Sequence, residues 1–121
     1  MTSAPVVRRR SIKSVMAYNK HNMIFHIATK KDYDLGKGMG GYRGDTLDSQ
    51  GFIHCSTADQ IDEVAEYLFR GKKDLLLLEI DETKVKSEIK YEDAGNGKLY
   101  PHIYGPLNID AVVNVRDFYL E

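Results

Sequence analysis

Apolar and polar residues alternate along this chain in short runs separated by glycine, proline and polar turns, a pattern that predicts strands more than helices. Residues 23–29, Met23-Ile-Phe-His-Ile-Ala-Thr29, are apolar and β-branched at Ile24, Ile27 and Thr29, and read as a strand. Alternation puts Ile24, His26 and Ala28 on one face and Phe25 and Ile27 on the other. Residues 30–35 predict one helical turn. Four glycines in the next six residues, Gly36-Lys-Gly-Met-Gly-Gly41, predict a loop that ends at Tyr42. Residues 51–55 predict a second strand, with Phe52 and His54 on one face and Ile53 and Cys55 on the other. Ser56 or Thr57 offers a hydroxyl to cap a helix, with Asp59 or Gln60 as the reciprocal partner. Ile61, Val64, Ala65, Leu68 and Phe69 recur at i, i+3, i+4, i+7 and i+8, so one main helix is expected over about residues 57–70, closed by Gly71.

The second half reads as strands. Residues 75–80 are nearly all apolar, as in a strand buried on both faces at the centre of a sheet. Residues 89–92 and 99–104 predict shorter strands around the turn cluster Asp93-Ala-Gly-Asn-Gly97, and Gly105-Pro106 closes the latter. Residues 110–118, with Val112, Val113 and Val115, predict the last strand. This order predicts an α+β fold, with a helix packed on a mixed or antiparallel sheet. At 121 residues the chain is expected to form one domain, over residues 23–121.

Charge separates the first 22 residues from the rest. They hold Arg8, Arg9, Arg10, Lys13 and Lys20 and no acid, a charge of +5, whereas the remainder has 12 basic and 18 acidic residues. Such a segment reads first as a disordered basic arm, and otherwise as a tag remnant or an Arg- and Ser-rich transit peptide. A net charge of -1 gives no sign of a nucleic-acid protein as a whole, so nucleic acid enters only through the arm. A lone cysteine and the lack of any apolar run near 20 residues predict a cytoplasmic protein with no membrane partner, or a mitochondrial one if the arm is a transit peptide.

The chemistry concentrates on histidine. Three of four histidines, His26, His54 and His102, sit in apolar, turn-bounded segments, and only His21 lies in the polar arm. No phosphate loop, dinucleotide glycine fingerprint, nucleophile elbow or paired-cysteine zinc site is present. Three histidines with Cys55 nearby suffice for zinc, but no pair has metal spacing, so no metal is expected. Cys55 reads as a small buried side chain rather than a nucleophile. Two readings remain open. Each histidine is a hydrogen-bond bridge inside the core, or the three converge, with rings about 10 Å apart or less, on a small-ligand pocket. In the second, Tyr42, Tyr100 and Tyr104 add stacking surface and phenol donors. Ser56 and the amides after it face an anionic group at the helix start.

The segments Phe25-His-Ile-Ala, Gly51-Phe-Ile-His-Cys-Ser56, residues 74–81 and Tyr100-Pro-His-Ile-Tyr-Gly-Pro-Leu107, in that order and spacing, resemble the domain of unknown function 952 family over about residues 23–117. The resemblance implies a fold similar to that of ADP-ribosyltransferases, with a split sheet, and no established activity. In that fold a first-strand histidine holds a ribose hydroxyl of NAD, and His26 matches it. The second motif offers His54 where a tyrosine is expected, like the histidine-containing variants that include RNA 2'-phosphotransferases. The final strand carries no glutamate for the late acidic position, and neither Glu79 nor Glu92 matches it. The resemblance therefore implies an NAD-like or ADP-ribose-like ligand held by His26, Tyr42, His54, Ser56, His102 and Tyr104, with transfer chemistry on the three histidines less supported than binding. The alternative is a non-catalytic protein or nucleic-acid interaction module with structural histidines.

Overall fold

In the computed structural model, which describes residues 6–7 and 22–119, the apolar run at residues 75–80 lies inside the larger of two sheets. The strands are β1 (Val6–Val7), β2 (Met23–Thr29), β3 (Ile53–His54), β4 (Leu75–Asp81), β5 (Glu88–Asp93), β6 (Leu99–Tyr104) and β7 (Val112–Phe118). The helices are α1 (Lys30–Gly38), α2 (Leu47–Gln50) and α3 (Ile61–Phe69), with 3-10 turns at Glu82–Lys84 and Ile109–Ala111. The larger sheet runs β1-β7-β4-β2 and the smaller runs β3-β6-β5. All pairings are antiparallel except β1 with β7, so the fold is α+β with a split, nearly antiparallel sheet. Of the expected basic arm, Val6–Val7 pair with Asp117 and Phe118. The arm's five basic side chains lie outside the described residues.

The period-2 reading of β2 sorts its side chains correctly between two cores. Ile24 and Ala28 join Leu76, Leu78 and Ile80 of β4, facing Ile53, Cys55 and Ile103 of the small sheet. Phe25 and Ile27 join Leu75, Leu77 and Phe118 on the opposite face, where Ile61 and Ala65 of α3 cover them. The layers are therefore helix α3, large sheet, small sheet. The two sheets touch edge to edge at one bridge, where Phe25 and Ser56 exchange backbone hydrogen bonds of 2.7 Å in both directions.

Three local expectations are corrected. The main helix starts at Ile61 rather than near residue 57. Ser56 is held extended by the bridge to Phe25 and cannot begin a helix, and residues 57–60 form a turn in which Gln60 Oε1 accepts from the Thr57 amide at 3.0 Å. The second strand is two residues long, because α2 occupies residues 47–50 and Gly51, at φ 90°, turns the chain out of it. The glycine run is not a loop throughout: α1 continues through Gly36 to Gly38, capped at its start by the Thr29 hydroxyl, which accepts from the Asp32 amide at 3.0 Å.

Gly36 explains that last difference. The chain doubles back after α1, and the backbone of Tyr42 packs on the helix where a side chain would stand. A Cβ on Gly36 would lie 2.7 Å from Tyr42 Cα, closer than atoms can approach. A glycine here marks a close approach, not a break in the helix.

Gly36 and Gly38 therefore make a contrasting pair. Gly36→Ala is expected to destabilise by about 1–3 kcal/mol despite its gain in helix propensity, since it overpacks against backbone. Gly38→Ala meets no atom within 4 Å and is expected to stabilise by roughly 0.5 kcal/mol or more. Urea unfolding midpoints of the two variants check this, and equal effects would remove the packing argument.

Candidate functional site

His26 is buried, at 8% exposure. β2 aims its ring into the space between the sheets, where Nδ1 lies 2.5 Å from the His54 carbonyl oxygen and Nε2 lies 2.6 Å from the Tyr42 hydroxyl. A carbonyl only accepts, so Nδ1 carries the proton, and a neutral ring then accepts the Tyr42 O–H at Nε2. Burial lowers the pKa of His26, against opposing contributions from the His54 backbone and from Asp45. Tyr42 is 2% exposed, and burial raises its pKa far above the ordinary phenol value. Both groups are thus held neutral in one closed chain of hydrogen bonds. Leu107 fixes Tyr42 further through paired backbone bonds of 2.8 Å.

His54 and His102 occupy a different environment. Cross-strand pairing sets His54 opposite His102, and His102 opposite Lys90. These side chains leave the small sheet on the face away from the core, because Ile53 and Ile103 take the inward positions. The rings of His54 and His102 meet edge to face with centroids 5.2 Å apart. Phe52 gathers the cluster: it stacks on His102 at 4.1 Å and 23° and lies 4.7 Å from His54 and 5.2 Å from Tyr104. Lys90 Nζ sits 4.8 Å from the centroid of the Tyr104 ring. His54 Nε2 is 2.8 Å from Gln50 Oε1, which makes it the donor. Crowding by neighbours lowers the His54 pKa, and His102 adds to the effect while Asp45 opposes it.

Glu92 is the residue that sequence reasoning left unplaced. Its Oε1 accepts from His102 Nδ1 at 2.8 Å and from the Tyr104 hydroxyl at 2.5 Å. Those bonds, Tyr104's first, hold its carboxyl below the usual carboxylate range. The signal was available only through pairing: Glu92 lies opposite Tyr100, one diagonal step from His102 across the β5–β6 ladder. Glu79, the other unmatched acid, is buried at 2% exposure and accepts from Arg116 Nε at 3.1 Å.

The expected site residues therefore divide. His54, His102 and Tyr104 share one face, whereas His26 and Tyr42 reach β3 from the core, at the backbone of His54. Ser56 is buried and its amide donates to Phe25 O, while the next amide, Thr57, donates to Gln60. Cys55 is buried, and burial pushes its thiol well above the usual range, so it carries no thiolate. Among the described residues no three His, Cys, Asp or Glu side chains are placed to hold a metal ion, and no helix is long and apolar enough to cross a membrane. Two surface clefts lie elsewhere. One of about 450 Å³ involves Lys30, Lys72 and Asp117, and one of about 280 Å³ involves Thr57, Glu82 and Tyr91.

A family model described as "Protein of unknown function (DUF952)" matches residues 27–115. The chain is also similar to solved structures of protein CC0527 from Caulobacter crescentus. The X-ray structure has 32% identity and a TM-score of 0.75, covering 82% of this chain and 88% of that one. The solution NMR structure has 32% identity and a TM-score of 0.71, covering 83% and 87%. No curated protein matches.

The lowered pKa values of His26 and His54 have a signed consequence. The unfolded chain takes up protons near the ordinary value of 6.5, whereas the folded chain resists them. Stability is therefore complete above that pH and is lost as pH falls below it, until the folded rings protonate in turn. Urea midpoints measured from pH 8 down to pH 5 should fall, and His26→Gln, though less stable, should show a flatter decline. Tyr42→Phe leaves His26 Nε2 unpaired and is expected to cost about 1–3 kcal/mol.

Proposed function

The chain belongs to the family described as Protein of unknown function (DUF952), and we propose that the outer face of β3 and β6 binds an NAD-like or ADP-ribose-like nucleotide. One observation carries this reading: Phe52 draws the rings of His54, His102 and Tyr104 to within 5.2 Å of itself. A cluster of flat rings on a sheet face is a stacking platform, and a nucleobase or nicotinamide ring is the kind of group it takes. His54 and Lys90 border the platform with polar groups that suit ribose and phosphate oxygens. The split sheet, joined at Phe25 and Ser56, is in keeping with an ADP-ribosyltransferase-like ancestry, which points to the same ligand class. His26 takes a different part from that implied by the resemblance. Both of its ring nitrogens are engaged inside the protein, so its contribution is to hold β3, and the ligand contacts fall to His54, His102 and Tyr104.

Binding is the activity this arrangement supports. A transfer step needs a group that stabilises positive charge on the ribose, and the final strand supplies no glutamate for it. Glu92 is committed to Tyr104 and His102.

The test is titration of the full chain with ADP-ribose and with NAD, followed by calorimetry. Saturable binding is expected, and Phe52→Ala should weaken it about tenfold or more, the worth of one stacked ring. Binding indifferent to Phe52 would remove this face as the site. Preference for a single-stranded RNA oligonucleotide over both nucleotides would favour an interaction module instead.

A further inference from the structure

We propose that His102 is the recognition residue of this face, presenting Nε2 as a fixed hydrogen-bond acceptor to an O–H or N–H donor beside the ligand's flat ring, with Glu92 and Tyr104 as its positioning residues. The proposal rests on the nucleotide-binding reading and names the atom that does the recognising.

The geometry leaves one tautomer. The Glu92 carboxylate only accepts, and it lies 2.8 Å from His102 Nδ1, so Nδ1 carries a proton. In the neutral ring the lone pair is then on Nε2. Tyr104 donates to the same Glu92 oxygen at 2.5 Å, which fixes the carboxylate while it fixes the ring. A second group orienting the first in this way is how proteins hold an imidazole in one tautomer for use at its other nitrogen.

That other nitrogen has nothing to bond. His102 Nε2 is enclosed and has no hydrogen-bond partner among the described residues, and the His102 side chain is only 6% exposed. Buried acceptors are almost always satisfied, so an orphan of this kind marks a place where a donor arrives. His26 shows the contrast, since both of its nitrogens are engaged within the protein. The groups that flank His102 lie on the outer side of the small sheet. Phe52, stacked on it, follows Gly51 at the end of a four-residue helix, and His54, edge-on to it, is exposed. The titratable groups facing it are Glu92 and Lys90 on β5, Tyr104 on β6 and His54 on β3.

Long-range 1H–15N spectra of the labelled full chain test this, recorded without ligand and with saturating ADP-ribose or NAD. The expected free protein shows His102 protonated at Nδ1 and bare at Nε2 at neutral pH. ADP-ribose should shift Nε2 of His102 and leave both nitrogens of His26 unmoved. Glu92→Gln should weaken ADP-ribose binding about tenfold by loosening the tautomer. If that variant fails to fold, the wild-type spectra still decide. A proton on Nε2 in the free protein overturns the proposal. So does ADP-ribose binding that leaves His102 unchanged, as it would if a buried water satisfied Nε2, and in that case the nucleotide reading stands. Absence of binding by both ADP-ribose and NAD overturns the two together.

Discussion

The neutral imidazole of His26, bonded at one nitrogen to a β3 carbonyl and at the other to a buried tyrosine, is the contact on which the arrangement of the small sheet depends. β3 is only two residues long and pairs with β6 alone, so its own ladder does little to place it. Its position against the large sheet is set by the Phe25–Ser56 bridge and by His26, two anchors that both originate on β2. With the His54 backbone drawn inward, alternation sends the His54 side chain out. The same contact holds Tyr42, and Tyr42 needs Gly36 to lie against α1. In the neutral ring Nδ1 donates to the carbonyl while Nε2 accepts from the phenol, so a single tautomer serves both contacts.

Three histidines on three strands thus have three environments. His26 is satisfied at both nitrogens and buried, the arrangement of a structural group. His54 is exposed and donates to a surface glutamine. His102 is buried at the edge of the cluster, satisfied on one side by a carboxylate and on the other by no group among the described residues. Imidazole has the same chemistry in each, and the difference lies in what the fold places within 3 Å of each nitrogen. A residue with two distinct ring nitrogens is well suited to this division, since one can be committed to structure while the other stays available.

The two sheets divide the work accordingly. The large sheet carries apolar side chains on both faces and is covered by α3 on one and by the small sheet on the other, so its exposed chemistry is slight. The small sheet has one buried face, and its other face collects Phe52, His54, His102, Tyr104, Lys90 and Glu92. A three-stranded sheet backed by the core is a rigid support, and side chains on it keep fixed separations, as recognition of a flat ligand requires.

Much of this organisation was written in local pattern. Period 2 in residues 23–29 sorted the two cores correctly, because a strand half-exposed to each core must alternate. The nearly all-apolar run at 75–80 marked an interior strand, because only burial on both faces tolerates it. The pairing of Phe52 with His54, away from Ile53 and Cys55, was visible for the same reason. What local pattern could not reveal were the contacts made across long separations in the chain. Gly36 reads as a helix breaker until Tyr42 packs on it. Ser56 reads as a cap until Phe25 draws it into a bridge. Glu92 matches no motif, yet strand register carries it to His102. His26 and His102 look alike in sequence, each in an apolar strand. Only tertiary structure distinguishes the one whose nitrogens are both used from the one left with an open acceptor, since hydrogen-bond satisfaction depends on what arrives from elsewhere in the chain.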